Sequence, residues 1–492
     1  VDVTHISRDG SWILYELSNL GKSEIAIVPT LGGPTKIICE GREPRFDEVN
    51  QRIFYFGKGY TSYHWSTSDS GLSIWRNSDV VWLINLDGSH DSMVYVDSSL
   101  IGFSSSSSES FSPSPDGRSI AWTKTNRDYS HTIIAVDLVN GKETNLPFGK
   151  GQISDVFWSY NNFIIFSQYT KNSRNYDLYI GAPDGVESLQ LTQSSTINEL
   201  YGVLSEDGKK LLYYQTQQTG NIKVLNLETG EIKSMTSDDR NRLVARLSPD
   251  NRYLAYIPGR YGAEIIDLSG KQSIKNFASD ERIRQILWAP DGKWIAYINL
   301  KEIIGGKDKI SVVSSSNTSN IKVIAEMENC FDLQWLSPDT LTWNANGKNW
   351  ISSIENASPQ QSYDHYSFIY TIQNGKYFLY QSYLKGREGW WIDTEPQSRN
   401  KDGSGTAKKI VESVDAVVAP NGQFMLYISP EGELIKVLLP DGKEEVLPYK
   451  IPKGSNENYP ELSISQDGKS VVFIESVSNS KLILWEDPFI WD

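Results

Sequence analysis

The chain has 492 residues and a formal net charge of −14, with a pI near 5.0. That balance excludes a nucleic-acid groove, which needs a basic footprint, and anchoring by charge to anionic lipid. There is no apolar run of about twenty residues to make a membrane span. The two cysteines, Cys39 and Cys330, form neither a disulfide framework nor a CxxC site, and are expected as two buried thiols rather than one long-range bridge.

From the N-terminus, a first strand (Val3 to Ser7) leads into a turn at Asp9, and the same kind of turn keeps returning. Its anchors are Asp9, Asn50, Asp116, Asn161, Asp207, Asp250, Asp291, Asp339, Asn374, Asn421 and Asp467. Their spacings are 41, 66, 45, 46, 43, 41, 48, 35, 47 and 46, the period of a four-stranded repeat unit. Pro-Asp-Gly and Asn-Gly are turn formers, because Gly takes positive φ freely and Asn and Asp tolerate it. The run after each turn is apolar and rich in aromatic and β-branched residues, as in Leu211-Leu212-Tyr213-Tyr214 and Ile295-Ala296-Tyr297-Ile298, which favours a packed strand. A third strand follows (Thr132 to Val136, Asn221 to Leu225), then a second turn (Asp87-Gly88, Asp184-Gly185, Thr229-Gly230, Asp441-Gly442), then a short fourth strand such as Ser188 to Thr192.

Two repeats are interrupted. The interval of 66 between Asn50 and Asp116 carries a loop with Tyr60, Tyr63, His64, Trp65 and Trp75, and later the solvated serine run Ser104 to Ser108. The ninth repeat carries Arg387, Trp390 and Trp391 after Tyr383; Gly389 to Asp393 also reads as a third strand. The chain closes on a third-strand pattern, Lys481 to Trp485, so ring closure is not readable from the termini.

The phrase Trp288-Ala289-Pro290-Asp291-Gly292-Lys293-Trp294-Ile295-Ala296-Tyr297 resembles the TolB-type, WD40-like (PD40) β-propeller repeat. The resemblance covers about Val3 to Trp485. It implies an all-β fold of about eleven four-stranded blades. That exceeds the usual ring of four to eight blades, so two propellers in tandem are expected. A five-plus-six split places them at 1–240 and 241–492; four-plus-seven stays open. The rival reading is the sialidase Asp box, to which Ser7-Arg8-Asp9-Gly10-Ser11-Trp12 comes closest; it also gives a propeller. In this geometry the Pro-Asp-Gly turns share one face, and the loops after each second strand lie on the other, the usual binding face.

Catalytic signatures are sparse. No Gly-x-Ser-x-Gly elbow occurs, so the hydrolase domain that accompanies similar propellers in prolyl-oligopeptidase relatives is not seen. His5, His64, His90, His131 and His365 are not paired at metal spacing. Propeller lyases gather histidines from separate blades, so distance alone does not exclude a site. No phosphate or dinucleotide glycine loop is present, and no cofactor or metal is expected.

The expectation is a non-catalytic, exported protein-binding or scaffold subunit. The chain begins with Val rather than Met, which fits removal of a signal peptide. Tyr60, Tyr63, His64, Trp65, Trp75, Arg387, Trp390 and Trp391 are the candidate binding residues, since aromatic side chains give rigid contact area with a polar handle. The alternatives are a carbohydrate-active enzyme (lyase or glycoside hydrolase), a glycan-binding propeller, and a periplasmic accessory subunit like TolB, although the α/β domain of TolB-like proteins is not visible here. A protein partner is expected, a glycan is the alternative ligand, and neither nucleic acid nor a membrane span is expected.

Overall fold

The computed structural model of the chain describes every residue except 1, 20–21, 48, 58–79, 97–109, 127–129, 171–174, 185–186, 260, 269–273, 301–305, 362–366, 373–375, 383–388, 394–407, 413–415, 454–460 and 489–492. Among the described residues every regular element is a β-strand, and no helix is long and apolar enough to cross a membrane.

The strands pair in antiparallel sets of four, in chain order. Asp2–Ile6, Trp12–Asn19, Lys22–Pro29 and Lys36–Glu40 make the first set; Arg42–Asp47, Arg52–Gly57, Val80–Asn85 and Ser92–Val96 make the second. The third and fourth share one long strand, Glu143–Trp158, which ends one set and begins the next. Gly149 and Gly151, both at positive φ, lie where its pairing passes from one set to the next. Five further four-stranded sheets run from Arg242 to Lys450. This all-β series is consistent with a β-propeller.

Where a sheet has a neighbour on each side, its second strand is apolar without alternation because both faces are covered. Ile53, Phe54, Tyr55 and Phe56 are all buried. Ile53 and Tyr55 pack with Leu14 and Ile25 of the first sheet, while Phe54 and Phe56 pack with Phe111, Ile120 and Trp122 of the third. The same division holds for Ile295 and Tyr297 on one side and Ala296 and Ile298 on the other. Trp122 is one such wedge, edge-on to Phe56 at 5.6 Å and to Tyr95 at 5.1 Å.

The chain divides into two compact units, Val1–Thr216 with Ser480–Asp492, and Gln217–Asn479. The sequence reading set this division near residue 240. In the structure it falls inside two 17-residue strands, Lys210–Asn226 and Ser470–Glu486, which no proline or positive-φ residue interrupts. They lie side by side in one sheet. The Asp487 N–H donates to the Lys209 carbonyl at 2.6 Å in the first unit, and the Leu227 N–H to that of Lys469 at 2.7 Å in the second.

Each half of these strands completes a different unit. Residues 210–216 pair with Asn198–Leu204, and Leu211 and Tyr213 pack with Ile483 and Trp485. Residues 221–226 pair with Ile232–Ser234, while Ser463–Ile464 pairs with Val471 and Val472. In the second unit this set is covered on one face by Ala245 and Leu254 of the Arg242–Phe277 sheet. Ala419, Phe424 and Leu426 of the last sheet cover the other.

The turn after each first strand is built by one recurring network. In the turns at Asp9, Asp116, Asp207, Asp250 and Asp467, the serine two positions earlier donates its hydroxyl to Oδ1 at 2.6–2.7 Å. The same oxygen accepts the backbone N–H two residues on, at 2.9–3.1 Å. The serine oxygen accepts the N–H that opens the second strand, at 2.9 Å. Hydroxyl donation from Ser11 and Ser7 holds the Asp9 carboxyl at about 2, and Ser114 and Ser205 hold Asp116 and Asp207 below the usual range.

Glycine follows at Gly117 because φ is +67° and an added Cβ would lie 2.5 Å from Oδ1 of Asp47 in the preceding turn. The 289–294 turn forms with Ala289 in place of serine, so each hydroxyl adds to a turn that the backbone already favours. Ser114→Ala is expected to lower stability by about 1–2 kcal/mol, and Trp122→Ala by about 3–5 kcal/mol, measured by denaturant unfolding; a Trp122→Ala loss below that of Ser114→Ala would refute the two-faced packing.

Candidate functional site

Eight of the first strands carry an irregularity in their pairing with the second, among them Val3/His5, Arg42/Arg45, Ile153/Asp155, Leu200/Val203 and Ile283/Gln285. A bulge turns the next side chain out of the pleat, and here it aims it at the following sheet. The outer edge of a first strand has unpaired N–H groups that need acceptors. His5 Nδ1 accepts the Phe46 N–H at 3.0 Å, Asp155 Oδ2 that of Tyr201 at 3.1 Å, and Gln285 Oε1 that of Leu333 at 3.0 Å. Ser112 Oγ accepts the Trp158 N–H at 2.9 Å. A second position repeats the device from the start of a third strand: His131 Nδ1 accepts the Ile153 N–H at 3.0 Å, and Asp308 Oδ2 that of Cys330 at 2.9 Å. The motif tryptophan does the converse. Trp288 Nε1 donates to the Arg246 carbonyl at 2.9 Å, and Trp335 Nε1 to that of Leu287 at 3.2 Å.

In the first unit these residues bring charge together. Arg45, Glu43, Asp155 and Tyr201 interact electrostatically. Glu43 and Tyr201 are both left-handed, at φ 48° and 56°, a conformation that costs a residue with a Cβ. The Tyr201 side chain is 59% exposed. Asp155 is 6% exposed; burial pushes its carboxyl up to about 6, against Ser167, the Tyr201 N–H and Arg45. Burial, then the Arg45 charge, pushes His5 down to about 3, and burial alone takes His131 to about 4. Both imidazoles are therefore neutral acceptors. In the second unit the buried Arg242 forks onto Asp238 with two bonds of 2.8 Å and lies 5.2 Å from the Tyr256 ring.

The candidate binding residues read from sequence fare differently. Tyr60, Tyr63, His64, Trp65, Trp75 and Arg387 lie outside the described residues. Trp390 is 3% exposed and packs with Leu379, Ile392 and Val411, so its indole belongs to the core of its sheet. Trp391 stands on the same third strand, half-buried, paired with Tyr380 and Lys409. Cys39 and Cys330 are both free thiols, pushed up by burial to about 11 and 12. Among the described residues no group of three His, Cys, Asp or Glu could hold a metal ion. The interstrand acceptors were missed in the sequence. Their only signal is the step of 46 or 48 residues, about one repeat length, from Ser112 to Trp158, Asp155 to Tyr201 and Gln285 to Leu333.

No protein-family model matches the chain, and no curated protein does. Among solved structures, the chain is similar to a putative TolB from Agrobacterium tumefaciens at 15% identity, over 53% of this chain and 99% of that one, with a TM-score of 0.41. It is similar to an oligogalacturonate lyase from Vibrio parahaemolyticus at 15% identity, over 58% and 89%, with a TM-score of 0.30. A third is TolB from Acinetobacter baumannii, at 14% identity over 63% and 80%, with a TM-score of 0.25.

The pH dependence of folding follows from these groups. The neutral His131 contributes stability that is fully present above about 6.5 and is lost as the pH falls through 4. Asp155 acts in the opposite sense: its contribution is present below about 4 and is lost as the pH rises through 6. Asp155→Asn keeps an oxygen for the Tyr201 N–H and removes the buried charge. It should stabilise the protein by about 1–3 kcal/mol at pH 7 and leave it unchanged at pH 4, by urea unfolding at both pH values. Destabilisation at pH 7 with no change at pH 4 would mean that the charge itself is required.

Proposed function

We propose that the chain is a non-catalytic, exported double propeller that binds a protein partner, with five blades in the first unit and six in the second. The blade count is supported by the pairing. The third strand of the fifth set comes from residues 480–486, and the set formed by residues 221–226, 232–234, 463–464 and 470–475 is the sixth of the second unit. Turn contacts support closure: Arg8 pairs with Glu206 in the first unit, and Asn251 donates to Asp467 at 3.2 Å in the second.

The observation that carries the non-catalytic reading is the engagement of His5, His131 and Asp155. Each gives an acceptor atom to a backbone N–H of a neighbouring strand, so the ionisable groups nearest a catalytic set are joining sheets. Partner binding is assigned to the interrupted loops, residues 58–79 with Tyr60, Tyr63, His64, Trp65 and Trp75, and Arg387, where a rigid scaffold presents variable segments. The exported location is part of the proposal and is supported by the aromatic content, 15 Trp and 26 Tyr.

The test replaces residues 58–79 by a Gly-Ser linker and compares crosslinked partners recovered from the native host by mass spectrometry. The variant should fold and lose a specific partner. An unchanged partner set would remove the loop from the binding surface. Cleavage of polygalacturonate, or retention of oligosaccharides on a glycan array, would favour the carbohydrate reading instead.

A further inference from the structure

The strand Ser470–Glu486 leaves one edge open. Over its last residues, Ser480 to Glu486, it pairs with residues 210–216 on one side, and among the described residues no fourth strand covers the other. Apart from this sheet, the sets end on a described fourth strand. The side chains at this edge are apolar and uncovered: Leu482 is 69% exposed and Leu484 is 54% exposed. On the same sheet, Val203 and its cross-strand neighbour Leu212 are also exposed.

The register fixes which backbone groups are free. The Asp487 N–H bonds to Lys209 and the Lys469 carbonyl to Leu227. Odd-numbered residues of this strand therefore turn their N–H and C=O toward residues 210–226, and Leu482, Leu484 and Glu486 turn theirs to the open edge. Natural sheets protect such an edge with proline, a bulge or an inward charge. From Ser480 to Glu486 there is no proline and no positive-φ residue.

The geometry points to a second copy of this chain as the occupant, through antiparallel pairing of Ser480–Glu486 with itself about a two-fold axis. The segment is self-complementary. With Ile483 opposite Ile483, Leu482 of one copy bonds across to Leu484 of the other, and the apolar pairs meet on one face. Lys481 stands opposite the Trp485 ring, a cation beside an aromatic face. The Lys481 end of one strand also lies beside the Glu486 end of the other, so the charges alternate at both ends. Such an interface is isologous and closes at two chains, with no open array. It uses neither the interrupted loops nor the acceptor residues, so it stands or falls apart from the proposed partner binding.

Sedimentation velocity of the full chain, from low to high micromolar concentration, tests the pairing. The expected result is a reversible monomer–dimer equilibrium, with amide-exchange protection at Leu482 and Leu484 that rises with concentration. Leu484→Pro removes an outward N–H and leaves the inward ladder intact, as proline does on an edge strand. It should sediment as a monomer with the melting temperature of the parent monomer. Leu482→Lys, at an exposed position that carries no core contact, should give the same monomer even if the proline variant folds poorly. A parent chain that stays monomeric throughout overturns the inference. So does a Leu482→Lys variant that dimerises as the parent does.

Discussion

Burial of both faces of the second strand is the constraint on which the structure depends. A sheet with Ile53 and Tyr55 on one side and Phe54 and Phe56 on the other cannot satisfy itself, since a bare face of that size loses several kcal/mol of transfer energy. It needs a neighbour on each side, and each neighbour needs another. Such a series is stable only if its ends are covered. The second unit covers them by placing its first and last sheets on opposite faces of one shared set. The serine–aspartate turns are subordinate to this arrangement. They fix the strand direction and leave the burial to the strands.

Burial creates a second problem, at the edges. First strands crowd together with N–H groups that have no ladder partner, in surroundings where an unmet donor costs about 1–3 kcal/mol. A polar side chain on the first strand, set by a bulge at His5, Asp155 and Gln285 and by a regular pairing at Ser112, reaches the next sheet, and the chemistry at that position varies while the bond is kept. Imidazole, carboxylate, amide and hydroxyl all serve in turn, in His5, Asp155, Gln285 and Ser112. The perturbed acidities at His131 and Asp155 are consequences of being buried for this task. A perturbed ionisable group is a functional candidate only until its bonds are known, and here the bonds account for the burial.

The turns were legible in the sequence because their chemistry is local: serine, aspartate and glycine within four residues determine the network. The third-strand character of Lys481 to Trp485 was legible for the same reason, as an apolar run. Its partner was not, because Leu211 and Tyr213 lie some 270 residues away and no periodicity connects them. The double use of Lys210–Asn226 was hidden because its two halves read as ordinary second and third strands with a short gap. Trp390 shows the limit of reading aromatic residues as a surface. Gly389 to Asp393 was recognisable as a strand, but which face its tryptophans occupy depends on a sheet built from residues 379 to 411. The acceptor residues left almost no trace, since a bulge is a feature of pairing and any of four side-chain types can fill the position.

The pairing of Lys210–Asn226 with Ser470–Glu486 also governs how the protein is made. Most multidomain chains fold from the N-terminus as they emerge. Here the sheet that holds residues 198–204 and 210–216 waits for residues 480–486. The sheet that completes the second unit joins residues 221–226 to residues 463–475 in the same way. Neither unit can reach its final state until residues 463–486 have left the ribosome. Throughout synthesis, the apolar strand Leu211 to Tyr214 is held without its partner. The loop that must close is long but cheap in entropy, since that cost grows only logarithmically with length; the burden falls on the time for which the strand stays open. Chain elongation, rather than the stability of any one sheet, sets the moment at which both units become complete.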